Sequence, residues 1–448
     1  MRCLMIHWNM IREILSLALP AVGEMTLYMM IWILDTMMVG QYGGKLAVSS
    51  VGLSTEIIYS FFNILIAMGM SSSLTSLISR ALGAKDFKKA ERIANAGFKI
   101  SFGLAILFFL VLFFVPKQIL TLAGATEDML PSAMIYAKIS AFSFFLLTFS
   151  STNNGIFRGA KDTKTSLYIA ALINIVNLSL DYVLIFGKFG FPELGVKGAA
   201  IATVAGNGAG LLLQWFRLKK LPFHLHLFSS SKKEDFKEVI LLAVPSALQE
   251  ANFSLSKLLG ITFVMSLGTI AFAANQIGIA IEAVSFMPGW GIAIANTALV
   301  GHSIGEKNEK KAHDYTFYST VIASIFMGII ALIFFFFPEE LIHLFIQKEE
   351  IEVISAGALC LQVGAMEQIP IAFAMVIESY FKGTGDAKTP FYVSFIMNWC
   401  IRVPLAFYYI SIQKYPIHIF WLITTIQWTL EGILIYYLYH RKGKIILH

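Results

Sequence analysis

Phe157-Arg-Gly-Ala-Lys-Asp-Thr-Lys-Thr165 and Phe381-Lys-Gly-Thr-Gly-Asp-Ala-Lys-Thr389 are nearly one text written twice, and each follows a long apolar segment. Other landmarks recur at almost the same interval. Leu17-Ala-Leu-Pro-Ala21 answers Leu242-Ala-Val-Pro-Ser246, and Arg80-Ala-Leu-Gly-Ala-Lys85 answers His302-Ser-Ile-Gly-Glu-Lys307. The chain is a duplication whose halves each begin with a proline-containing helix. A period this long exceeds that of solenoid repeats, so the repeated unit is a whole bundle of helices. Two fused bundles in one membrane are the usual architecture of a secondary transporter.

Composition sets the environment. With 57% hydrophobic and 14% charged residues and a mean hydropathy of +0.71, the chain in water would expose a very large apolar surface. It reads as an all-α polytopic membrane protein. A helix needs about 20 apolar residues to cross the hydrocarbon layer, which gives roughly twelve spans, six in each half. They are 11–39, 46–78, 93–115, 131–156, 165–187, 196–217, 238–266, 270–300, 314–337, 352–381, 390–411 and 415–439. A β-barrel would show alternating segments, and Ile106–Val115 and Ile329–Phe337 do not alternate. The expected organisation is a first lobe over 1–218, a polar linker over 219–237 centred on Ser229-Ser-Ser-Lys-Lys-Glu-Asp235, and a second lobe over 238–448.

Most Lys and Arg fall at the two ends and in loops after even-numbered spans, among them Arg80, Lys85, Lys88, Lys89, Arg92, Arg158, Lys161, Lys164, Lys307, Lys310 and Lys311. The opposite side holds only Lys45, Lys117, Lys188, Lys197, Lys348 and Lys414. The positive-inside rule then places both termini in the cytoplasm of a cell, or inner, membrane. The net charge of +6 is therefore a topology signal, and its scatter over short loops argues against a nucleic-acid partner. The polar start, Met1 to Asn9, is too short for a cleavable signal peptide, so the first span is expected to stay in the chain. Cys3, Cys360 and Cys400 show no metal spacing and read as packing residues.

A carboxylate at membrane depth costs about 3 kcal/mol or more, which makes it a functional candidate. The first half carries Glu24, Asp35, Glu56 and Asp181. Glu24, Tyr28, Ile31 and Asp35 share one stripe of the first helix, with Pro20 one turn earlier. Pro20 removes a backbone donor and invites a kink that can bend or straighten, so it is the expected gating position. In the fifth span Asn174, Asn177 and Asp181 share a face. Thr203 and Asn154 are placed to complete an oxygen-rich pocket with Asp35. Oxygens of this kind suit a hard cation, Na+, or a proton held between carboxylates. The plainer reading of Asn177 and Asp181 is hydrogen bonding that holds helices together.

The second half adds Glu250, Glu282, Glu367, Glu378 and Glu431, together with two deep bases, Lys257 and Arg402. Lys257 lies on the face of Glu250 and is placed to pair with it or with Glu282. Fixed cations there would neutralise carboxylates permanently, whereas no deep base serves Asp35 and Asp181, which locates the coupling ion in the first half. Glu24, Tyr28, Glu250, Lys257, Glu282 and Glu378 are then candidates for the substrate cavity or for secondary coupling. Glu282 matches Glu56 by the repeat, and such a pair can equally brace the bundles. The 18 Met and 38 Phe suit an adaptable apolar cavity. No phosphate loop is present, so an ATP-driven pump is not expected, and the lack of a His-Glu-x-x-His helix or nucleophile elbow weakens the alternative from a different class, a membrane-embedded enzyme.

These residues resemble the multidrug and toxic compound extrusion (MATE) family along essentially the whole chain. The text that carries the resemblance is Pro20 with Asp35 and Val39-Gly40, Asn154-Gly-Ile-Phe-Arg-Gly-Ala-Lys-Asp-Thr-Lys164, Asn177 with Asp181, Ser285-Phe-Met-Pro-Gly-Trp-Gly291, and Lys382-Gly-Thr-Gly-Asp-Ala-Lys-Thr-Pro390. The resemblance implies two pseudo-symmetric six-helix lobes around a V-shaped cavity that opens to alternate sides. It also implies export of organic, cationic or amphipathic compounds in exchange for H+ or Na+. The chain is most similar to the branch with DNA-damage-inducible and archaeal members, whose first-lobe cation network maps onto Asp35, Asn177, Asp181, Thr203 and Asn154. The Na+-dependent branch fits less well, because Glu250 lies close to Pro245 and Ile371 stands where that branch has an aspartate. No cofactor beyond the coupling ion is expected, and the chain is expected to work in the bilayer as a monomer. A flippase for an amphipathic precursor is the alternative within transport, and it would suit fourteen spans better than twelve.

Overall fold

The computed structural model describes residues 8–31, 34–35, 37–39, 42, 69–122, 127, 130–223, 225, 231–346 and 350–446. Expectations that fall on Cys3, Gly40, Lys45, Glu56 and Lys348, and most of the expected second span, lie outside these residues. The described chain is helical: α1 (Trp8–Ile31), α2 (Ser72–Gly83), α3 (Phe87–Phe114), the short α4 (Pro116–Leu122), α5 (Leu130–Gly159), α6 (Thr163–Phe186), α7 (Val196–Leu218), α8 (Lys233–Met265), α9 (Thr269–Gly305), α10 (Glu309–Phe336), the short α11 (Pro338–His343), α12 (Ile351–Thr384), α13 (Lys388–Ile412) and α14 (His418–Ile446). Among the described residues eleven helices are long and apolar enough to cross a membrane.

The duplicated text folds into duplicated turns. After α5 the chain turns at Lys161 (φ 62°), and Asp162 then caps α6, accepting from the Thr165 amide at 3.1 Å and the Thr165 hydroxyl at 2.6 Å. After α12 it turns at Gly385 (φ 91°), and Asp386 accepts from the Thr389 amide at 3.0 Å and its hydroxyl at 2.6 Å. The second landmark behaves alike. Lys85 (φ 59°) precedes Asp86, which caps the Lys89 amide at 2.9 Å, and Lys307 (φ 58°) precedes Asn308, which caps the Lys311 amide at 3.0 Å. Each turn frees a carboxylate or amide oxygen for otherwise unbonded helix-start amides.

Two compact units result. One contains Gly23–Ala247, the other Met1–Val22 with Leu248–His448. The divisions fall inside α1 and α8, each two residues past a proline, Pro20 and Pro245. Within the first unit α5 packs on α2, α3 and α7, and α7 packs on α6. Within the second, α12 packs on α9, α10 and α14. α12 is the core helix there, with 67% of its apolar window buried against 28% for α3. Part of the expected linker lies outside the described residues, and its last residues from Lys233 already form α8. That helix start is tied to α3 by Lys89–Glu238 at 3.0 Å and Arg92–Asp235 at 3.3 Å.

Candidate functional site

In the Gly23–Ala247 unit, the helical face predicted from spacing on α6 is present. Asn174, Asn177 and Asp181 are all buried, Asp181 completely. Asp35, in the helical residues just past α1, brings its carboxyl group within hydrogen-bonding reach of the Asp181 carboxyl. Asn177 donates to the Thr203 hydroxyl of α7 at 3.4 Å, and Thr203 in turn donates to the Ala199 carbonyl at 3.0 Å. Asn174 is spent on its own helix, donating to the Ala170 carbonyl at 2.9 Å. What remains is a set of acceptors without donors. Asp35 Oδ1, both carboxylate oxygens of Asp181 and Asn177 Oδ1 are buried with no hydrogen-bond partner. Such oxygens in a low-dielectric setting call for a proton or a small hard cation.

A second polar group lies in the same unit. Arg158, at the end of α5, donates to Glu24 Oε1 at 2.6 Å, and Glu24 is completely buried. Asn154 donates to Glu24 at 3.1 Å and to the Tyr28 hydroxyl at 3.4 Å, and its own oxygen accepts from Gln214 at 3.1 Å and Ser166 at 3.3 Å. Asn154 and Tyr28 thus join Glu24 through these bonds, and Glu24 is matched by a cation. The sequence places Arg158 in a loop, and only the rank of hydrogen-bonding residues along α5, Ser150-Ser-Thr-Asn-Asn154, signals that polar packing reaches that helix end.

The acids of the second half gather in the Leu248–His448 segment. Glu282 of α9 lies within electrostatic range of Glu367 of α12, and Glu378 of α12 within range of Glu431 of α14. Gln368 donates to Glu282 at 3.4 Å, and Gln249 donates to Glu378 at 2.8 Å. Lys257 is within electrostatic range of both Glu250 and Glu282 and forms an ion pair with neither. Of the cysteines, Cys360 is buried in the core and Cys400 is exposed, both free.

The model of one family, MatE, matches this chain twice, over residues 20–183 and 245–408. The chain belongs to the MatE family. Both matches start on the proline of their repeat, Pro20 and Pro245, so the family unit is the half-chain. Among relatives, a "Probable multidrug resistance protein NorM" from Thermotoga maritima is 34% identical over 88% of this chain and 85% of its own length. Among solved structures, a MATE protein in the bent conformation aligns with a TM-score of 0.88 at 20% identity, over 98% of this chain and 97% of its own. A MATE protein in the straight conformation aligns with a TM-score of 0.87 at 22% identity, over 97% and 96%. The MatE chain is therefore a multi-pass membrane transporter with the MATE fold, and not an enzyme.

Proposed function

We propose that this MatE chain exports organic compounds, cationic or amphipathic, from the cell by alternating access, in exchange for H+ or Na+. The observation that carries the coupling is the set of unpartnered buried oxygens on Asp35, Asp181 and Asn177. A cation bound there, whether a proton shared by the two carboxylates or Na+ held with Thr203, relieves their repulsion and the missing donors together. The multidrug resistance named for the Thermotoga relative supports the substrate class. The positive loops support an inner-membrane location with both termini in the cytoplasm, and one chain works as a monomer.

The coupling needs a state change that the ion can bias. Pro20 stands two residues from where α1 passes from one unit to the other, and a bend there shifts the Asp35 end of the chain. The MATE fold has been captured in a bent and a straight conformation, which supports two such states. Cation arrival at Asp35–Asp181 then favours the state that has released the compound. The test is efflux of a fluorescent organic cation from vesicles, with proton and sodium gradients collapsed separately. Asp35→Asn and Asp181→Asn are expected to fold and to lose gradient-driven efflux. Normal efflux by Asp35→Asn would move the coupling site elsewhere.

A further inference from the structure

α1 and α8 each start in one unit and end in the other, and they change over at equivalent positions. The first half of α1, to Val22, belongs with Leu248–His448, and the first half of α8, to Ala247, belongs with the unit that begins at Gly23. Aligning Pro20 with Pro245 pairs the two half-helices residue by residue. Ile14, Leu17 and Ala18 then correspond to Val239, Leu242 and Ala243, and all six are buried, while Leu19 and Val244 correspond and are both exposed. Each half-helix therefore turns the same face to the unit it has joined. For α1, Ile14, Leu17 and Ala18 pack in one cluster with Ile292 of α9, Met327 of α10 and Met375 of α12. The approach is close, since a Cβ at Gly291 of α9 would sit 2.7 Å from the Val22 backbone nitrogen. Apolar burial holds a half-helix down but is non-directional, so it does not fix the helix along its own axis.

One acid on each half-helix makes a directional contact. Glu13 and Glu238 stand at the same distance before Pro20 and Pro245. Glu13 accepts from the hydroxyl of Tyr315 on α10, a residue 1% exposed, with Lys311 Nζ 5.8 Å from its ring centre. Glu238 pairs with Lys89 of α3 at 3.0 Å. α3 and α10 are copies of each other, and Lys89 and Lys311 hold the same place in them, where Asp86 and Asn308 cap their amides. The same acid thus reaches the same neighbouring helix in both halves of the chain, through a different donor. α8 has a second tie, because Arg92 of α3 pairs with Asp235 at 3.3 Å and Asp235 also accepts from the Lys232 amide at 2.8 Å. Lys89 and Glu238 are 37% and 39% exposed, and a pair that open contributes little to stability. Its recurrence in both copies points to a role in holding position.

We propose that Glu13 and Glu238 are positioning residues for export. Each fastens the start of a proline-containing helix to the unit it has joined and stays fastened through turnover, so that bending at the proline moves only the half beyond it. The inference rests on the alternating-access reading above. The experiment uses the full-length chain in vesicles, with Cys3→Ala, Cys360→Ala and Cys400→Ala as background and Lys89→Cys with Glu238→Cys added, so that a short bismaleimide can join α3 to α8. Without the ion pair, turnover of a fluorescent organic cation, counted per chain able to bind it, is expected to be several-fold slower at unchanged KM, and linking is expected to restore it. Turnover that stays low or stops on linking would overturn the proposal. Linking is also expected to reach completion at every pH and sodium concentration, and a yield that falls with either would overturn it without reference to transport. An unmutated chain that moves no cation would instead count against the export reading. Glu13→Ala is expected to slow turnover several-fold at unchanged KM, and Glu13→Gln, which keeps an acceptor for Tyr315, to restore it. These two variants decide alone should the cysteine variant fail to fold. Unchanged turnover in Glu13→Ala would overturn the proposal, as would a raised KM, by making Glu13 a contact of the exported compound.

Discussion

Glu24 and Asp35 lie on one stripe of sequence and meet opposite fates. Glu24 has a guanidinium 2.6 Å away; Asp35 faces another carboxyl group. Removing the cation from the first leaves a buried charge uncompensated, so Arg158→Met is expected to cost about 3–5 kcal/mol. The measurement is the thermal unfolding midpoint in detergent, and Glu24→Gln added to Arg158→Met is expected to recover most of the loss. Asp35→Asn relieves a like-charge contact and is expected to leave the midpoint unchanged or raised. An equal fall in both would make the Asp35–Asp181 pair a structural brace. Helical spacing made Asn177 and Asp181 legible as one face, because periodicity fixes which side chains share a side. It does not fix which neighbour that side meets. Hence spacing does not show that Arg158 pairs with Glu24, or that Asn154 hydrogen-bonds to Glu24 and Gln214.

At the scale of the element, repetition in the text became repetition in geometry because the repeated residues are those with backbone roles. Asp162 and Asp386 accept from the same two groups of the following helix, and either replaced by Ala is expected to cost about 1 kcal/mol. Gly159 and Gly383 end the matching helices where another helix crosses closely. A Cβ at Gly159 would sit 2.9 Å from Ile78 Cβ and 3.1 Å from the Thr75 carbonyl, and at Gly383 it would sit 2.8 Å from Val300 Cβ and 2.9 Å from the Thr297 carbonyl. Backbone cannot give way cheaply, so Gly383→Ala is expected to lose about 1–3 kcal/mol. Gly103 of α3 meets nothing within 4 Å, and Gly103→Ala is expected to gain about 0.5–1 kcal/mol from helix propensity. Unfolding midpoints of the two variants, read side by side, check both signs. In the second half the sequence shows which charges exist but not which of them meet: Arg402 comes within electrostatic range of Glu282, Glu367 and Glu431, and Lys257 within range of Glu250 and Glu282.

For the whole molecule, the decisive fact is where the chain changes units. It does so twice, after Val22 and after Ala247, and both places are inside helices and two residues past a proline. Covalently nothing else joins Gly23–Ala247 to the remainder, so any rearrangement between them must be absorbed in α1 and α8. Pro20 and Pro245 each remove a backbone donor there, which lowers the cost of bending. The duplication thus predicts two joints. Restoring the donor makes the straight helix more favourable by up to about 3 kcal/mol. Pro20→Ala is therefore expected to bind the exported compound normally, to unfold at a higher temperature, and to turn over several-fold more slowly. Pro245→Ala is expected to do the same, because the repeat gives α8 the role of α1. Binding by fluorescence titration and efflux from vesicles separate the two effects. Unchanged turnover in both variants would place the bending elsewhere in the chain, whereas slowing in Pro20→Ala alone would show that the second copy has kept the proline without the motion.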